Sequence, residues 1–153
     1  MKVEICVTSV DAAKIAERAG ADRLELCSEL AVGGVTPSAG LLEAIRDTVA
    51  IPVHVLIRPR SGNFAYSEPT LSQLLRDISY CRKLGLDGIV TGCLLSDNRL
   101  DRVGMESIVE ACGDLYLTFH RAFDRIPDWE AALSDLEVLG VDTILTSGQA
   151  ASA

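Results

Sequence analysis

A chain of 153 residues with 48% hydrophobic and 24% charged side chains has the make-up of a single globular domain, which excludes intrinsic disorder. Its formal charge of -8 and pI near 4.7 exclude nucleic acid as a partner, because phosphate binding needs a clustered positive surface. No apolar run approaches the roughly 20 residues of a membrane span, and the first strand begins by Val3, so the expectation is a cytoplasmic protein without a membrane partner.

Val3-Glu4-Ile5-Cys6-Val7 reads as the first strand, and Ser9 or Asp11 can cap an alanine-rich helix that stops at Gly20. A second strand is expected over Arg23–Cys27, and a loop through Gly33-Gly34-Val35-Thr36 leads to Pro37, which suits the first turn of a helix reaching about Val49. The third strand, Val53–Ile57, closes on Arg58-Pro59-Arg60. The segment Ser61–Tyr66 is too long for a bare connection and reads as a ligand lid or wall, ahead of a helix from about Thr70 to Leu84. Strands four, five and six are expected at Gly88–Thr91, Tyr116–Phe119 and Thr143–Thr146, with helices near Asp101–Cys112 and Pro127–Leu139 between them.

Strict alternation of strand and helix gives a parallel sheet covered by helices. Gly20-Ala21-Asp22, Gly85-Leu86-Asp87 and Gly140-Val141-Asp142 each lead into an even-numbered strand, so the repeating unit is a double βα module. The fold class expected is α/β, one TIM-barrel-like domain over 1–153 that is incomplete, with about six βα units where a closed barrel has eight. An open doubly wound sheet is the alternative.

Side chains of one parity share a strand face. That rule groups Glu4 with Cys6, Glu25 with Cys27, His54 with Arg58, and Thr118 with His120, and sends Ile5, Leu24, Leu26, Val53, Val55 and Ile57 to the opposite, helix-packed face. Charges on a barrel's inner face must be paired or must meet a ligand. An ion pair such as Glu25 with Arg58 is one outcome. The other is a site in an upper layer of Cys6, Cys27, Arg58 and His120, with Arg60, Arg121 and Asp124 on the loops above. Two cysteines on adjacent strands lie about 5 Å apart, and thiolates suit Cu(I) or zinc. Three arginines could instead clamp a small anionic molecule, with Glu25 and His120 placed for proton transfer. His54 lies deeper in its strand and reads as a core histidine of a lower layer. The five cysteines show no short paired spacing and are expected to be thiols, most of them small core residues.

Glu4-Ile5-Cys6, Gly20 to Cys27, Gly33 to Ser38, Ile57-Arg58-Pro59-Arg60, Val90-Thr91-Gly92, Thr118-Phe119-His120-Arg121-Ala122-Phe123-Asp124 and Leu145-Thr146-Ser147-Gly148-Gln149 together resemble the CutC family of copper homeostasis proteins across the whole chain. The resemblance implies a TIM-barrel-like fold, a cytoplasmic location and a role in copper handling, with a truncation relative to the family after the sixth strand. The functional expectations are therefore Cu(I) binding at Cys6 and Cys27 or, alternatively, an enzyme acting on a small anionic metabolite. Glu4, Glu25, His54, Arg58, Arg60, Thr118, His120, Arg121 and Asp124 form the candidate ligand-binding set. Unpaired strand edges also lead to the expectation of a homo-oligomer.

Overall fold

The computed structural model describes residues 1–150, and its strand order settles the architecture. The elements are β1 (Glu4–Val7), α1 (Val10–Arg18), β2 (Arg23–Leu26), α2 (Ala39–Arg46), β3 (Val53–Leu56), α3 (Glu68–Lys83), β4 (Gly88–Thr91), α4 (Arg102–Cys112), β5 (Tyr116–Phe119), α5 (Trp129–Val138) and β6 (Thr143–Ile144). Neighbouring strands are parallel and follow one another in chain order from β1 to β6. A doubly wound sheet reverses its order at a switch point; this sheet never does, so it is six consecutive staves of an α/β barrel. Among the described residues no helix is long and apolar enough to cross a membrane.

Helix starts follow local capping chemistry. Ser9 caps α1, its side chain accepting from the Ala12 amide at 3.2 Å. For α2 and α5 the structure corrects the expected start at Pro37 and Pro127. Ser38 and Asp128, each one residue on, accept from the amides of Leu41 and Ala131 and act as the caps, so each proline lies outside its helix. Behind the sheet, Leu24, Val55, Ile57, Ile89 and Phe119 interlock with Ile45, Leu74, Ile78, Met105 and Ile108 of the helices in one continuous core. Each such side chain contributes about 1.5–3 kcal/mol by leaving water. Cys81, Cys93 and Cys112 belong to this core. Ile5, assigned by parity to the same face, is 39% exposed because β1 has a neighbour on one side only.

The threefold Gly-apolar-Asp echo has a structural cause. Gly20, Gly85 and Gly140 take positive φ of 90°, 70° and 80°, and the next amide reaches back to the helix at Ala16, Cys81 or Leu136. That closes a left-handed helix cap that glycine adopts without strain. Each aspartate then staples its strand to the preceding odd-numbered one. Asp22, Asp87 and Asp142 accept from the amides of Val3, Val53 and Leu117 at 2.7, 2.9 and 2.8 Å, and their own amides donate to the carbonyls of the same three residues. The double module is thus a pair of strands locked at their amino ends by these carboxylates. A shallow space of about 330 Å³ at that end is bordered by Asp87, Asp114, Tyr116 and Asp142, of which Asp87 and Asp142 are committed to strand amides.

Candidate functional site

Strand register sorts the inner face into rows. Cys6, Glu25, His54, Gly88 and Tyr116 stand opposite one another from β1 to β5, and Cys27, Leu56, Val90 and Thr118 form the next row up. Arg58 and His120 lie one step higher, past the ends of β3 and β5. The expected single upper layer of Cys6, Cys27, Arg58 and His120 is therefore spread over three successive rows, a thiol pair below and the barrel mouth above, which adjoin at Gly34. Parity assigns a side chain its face, whereas barrel stagger decides its height. Glu25 and His120 are likewise two rows apart.

The lower place is built around the thiols. Cys6 Sγ and Cys27 Sγ touch at 3.5 Å across the β1–β2 seam, both as free thiols. Cys27 is buried against Leu56 and Val90, and Gly34 closes over it with φ +84°, where an added Cβ would sit 2.5 Å from Leu56 Cδ2. Although Cys6 as a residue is exposed, packing around its sulfur, the Cys27 contact and the nearby Glu25 and Glu4 carboxylates push its pKa up to about 12. Burial raises that of Cys27 as well. Glu25 is pushed up to about 7, first by burial and then by Glu4, with Arg23 opposing.

The Glu25–Arg58 ion pair, one of the two outcomes open to the inner-face charges, does not form. Glu4 instead pairs with Arg23, whose guanidinium also lies over the Tyr116 ring at 5.4 Å. Arg23 is an inner-face residue that sequence reasoning missed, though its parity with Glu25 was a usable signal. His54 packs 5.0 Å from the same tyrosine, in space that only Gly88 leaves open, since a Cβ there would come within 2.7 Å of the imidazole. Burial and then Arg23 depress His54 to about 4, so it is neutral at physiological pH. Thr118 is buried on the inner face, its hydroxyl without a partner.

The upper place is the barrel mouth. Arg58 is buried and holds the loops around it: Nη1 donates to the carbonyls of Val32 and Gly34, both at 3.0 Å, and Nη2 to that of Gly62 at 2.9 Å. Arg60 donates to the carbonyls of Ser61, Asn63 and Ala65 and lies over Tyr66. Arg121 donates to Asp124 at 2.9 Å and to Ser147 at 2.7 Å. A three-arginine clamp is thus absent, because two of the three guanidinia are spent on neighbouring loops. Asp124 binds the Thr146 and Ser147 hydroxyls and the amides of Ser147 and Gln149, joining the loop after β5 to that after β6. Burial alone would raise its pKa, but donation from Thr146, Arg121 and Ser147 holds the carboxyl well below the usual range. Phe64, from the long loop after β3, sits over the mouth between Arg58 and His120. Outside it opens a cavity of about 790 Å³ bordered by Arg58, Phe64, Arg121, Arg125 and Gln149.

Among the described residues no group of three or more His, Cys, Asp or Glu side chains is arranged to hold a metal ion. The donors on offer are two soft thiols. They do not make the four-ligand shell of a structural zinc site, but they fit an ion such as Cu(I) that is content with two sulfurs.

The CutC family model matches residues 1–153. A CutC protein of Klebsiella pneumoniae is 47% identical over 151 residues, covering 99% of this chain and 61% of the relative. The human copper homeostasis protein cutC homolog is 47% identical, covering 99% and 55%. The chain therefore spans about three-fifths of the length of these curated relatives. The crystal structure of a CutC protein from Streptococcus agalactiae superposes with a TM-score of 0.93 at 36% identity, covering 99% of this chain and 75% of the other. Phosphoenolpyruvate phosphomutase from Streptomyces platensis gives 0.64 at 15% identity, covering 95% and 59%, a likeness of fold alone. On the family match, the sequence identity and the superposition together, the chain belongs to the CutC family.

Proposed function

We propose that this chain serves copper homeostasis in the cytoplasm by binding Cu(I) between the sulfurs of Cys6 and Cys27. The observation that carries the reading is the 3.5 Å approach of two free thiols on adjacent strands. Cys6 stands on the partly open first strand, exposed as a residue, and Cys27 is fixed in an apolar nest with Leu56 and Val90. The copper homeostasis name of the human relative supports the choice of metal. Both thiols carry protons at neutral pH, so the ion must displace them on loading. X-ray absorption of the protein loaded with one equivalent of Cu(I) should show sulfur as the only first-shell ligand. A shell of nitrogen or oxygen would argue against the site.

A further inference from the structure

Two buried N–H groups at the barrel mouth have no acceptor. Arg58 spends Nη1 and Nη2 on loop carbonyls, but its Nε is unpartnered, and among the described residues no carboxylate pairs with it. His120 accepts the Ala122 amide on Nδ1 at 3.3 Å, so the neutral ring carries its proton on Nε2, and that atom too is buried without a partner. Both side chains are more than nine-tenths buried, at 6% and 5% exposure. Both also lie against one aromatic ring: Arg58 Cζ is 5.0 Å from the Phe64 centroid and the His120 ring is 4.7 Å from it. A buried cation without a counterion and a buried donor without an acceptor are each costly, and their coincidence calls for a physical explanation.

We propose that the mouth is an oxyanion subsite, in which Arg58 Nε and His120 Nε2 donate to a carboxylate or phosphate of a small molecule whose body occupies the 790 Å³ cavity, and that Phe64 plugs the subsite when it is empty. The cavity is in the size range of small-ligand sites. Its rim adds Arg125 and the Arg121–Asp124 ion pair, which with Arg58 leave the lining net positive and so favour an anion. The plug is a side chain and not a loop, because the Phe64 carbonyl is tied to the Leu94 amide at 2.9 Å while its ring lies against both Arg58 and His120. Gly92 is what lets the imidazole lie so close to β4, since a Cβ there would stand 3.0 Å from His120 Nδ1 and 2.7 Å from Phe119. The subsite lies above the thiol pair and does not depend on the copper reading.

The test is nitrogen NMR of the two imidazoles in the native chain and in Phe64→Ala, titrated with inorganic phosphate and, separately, with malonate, at ionic strength held constant with chloride. A saturable shift of the His120 Nε2 resonance is expected with at least one anion while His54 stays still. Removing the plug takes away the cost of displacing it, so Phe64→Ala should bind at least about tenfold more tightly. The tighter of the two anions tells a phosphate source from a carboxylate source. Arg58→Lys, which keeps the charge but loses the Nε donor, should weaken binding. His120 resonances unmoved by both anions in both proteins would overturn the proposal, as would equal shifts of His54 and His120.

Discussion

Asp124→Ala should be the most costly single substitution outside the hydrophobic core, by about 3 kcal/mol. The carboxylate is only 6% exposed and takes donors from Arg121, Thr146, Ser147 and Gln149. Removing one partner of a buried charged network costs about 3–5 kcal/mol, and the lower end applies because Arg121 is itself 47% exposed and can be hydrated. The loss should be local before it is global. Amide exchange at Ser147 and Gln149 should accelerate well ahead of exchange in β3 and β4, while urea unfolding reports the total. A variant with unchanged exchange at those amides would show that the two loops are held together by something else.

Acid should destabilise the protein well before its ordinary carboxylates titrate. His54 and His120 are depressed to about 4 and about 3 by burial, aided by Arg23 at the first and Arg58 at the second. A histidine in the unfolded chain binds a proton near pH 6.5, so between about pH 6.5 and 4 the unfolded state takes up protons that the native state refuses. Stability from a depressed pKa is present above the unfolded value and lost as pH falls. The loss is on the order of 2 kcal/mol for each imidazole by pH 4.5. Asp124 adds to it below about pH 4, having the same sign. Glu25 works the other way. Its pKa is raised to about 7, so its contribution is complete below its unfolded value and declines as pH rises toward neutrality. Urea unfolding at pH 7 and pH 4.5 should show a net loss in the native chain, a steeper one in Glu25→Gln and a shallower one in His54→Gln. Stability that is flat in Glu25→Gln would contradict the neutral, buried state of both histidines.

Most of the fold was legible because alternation and caps are local. The six strands appear within a few residues of their expected ends, and Gly20, Gly85 and Gly140 mark helix stops that need only a positive φ. The inner face was legible as a face: Cys6, Glu25, His54, Arg58, Thr118 and His120 all project from the side opposite the helix-packed core. Height within the barrel was not, since it depends on the stagger between strands, and so Cys6 falls in the row of Glu25 and His54 instead of that of His120. The fates of the arginines were also hidden. Arg58 and Arg60 bind backbone carbonyls of loops whose conformation no residue pattern specifies, and the sequence of a loop carbonyl is silent. The Gly-apolar-Asp echo was visible as a repeat, but its stapling role needs the register that sets Asp87 beneath Val53.

The claim that bears most weight is that the Cys6 and Cys27 sulfurs together hold Cu(I). It is tested most directly by anaerobic competition titration of Cu(I) against a chromophoric chelator, in the native chain and in Cys6→Ser, Cys27→Ser and Cys112→Ser. Cys112 lies in the helix-packed core, away from the pair, and serves as the control. The account predicts one tight site in the native chain and in Cys112→Ser, with affinity falling at least about a hundredfold, roughly 2.7 kcal/mol, when either member of the pair is replaced. Equal affinity across all four proteins would contradict it.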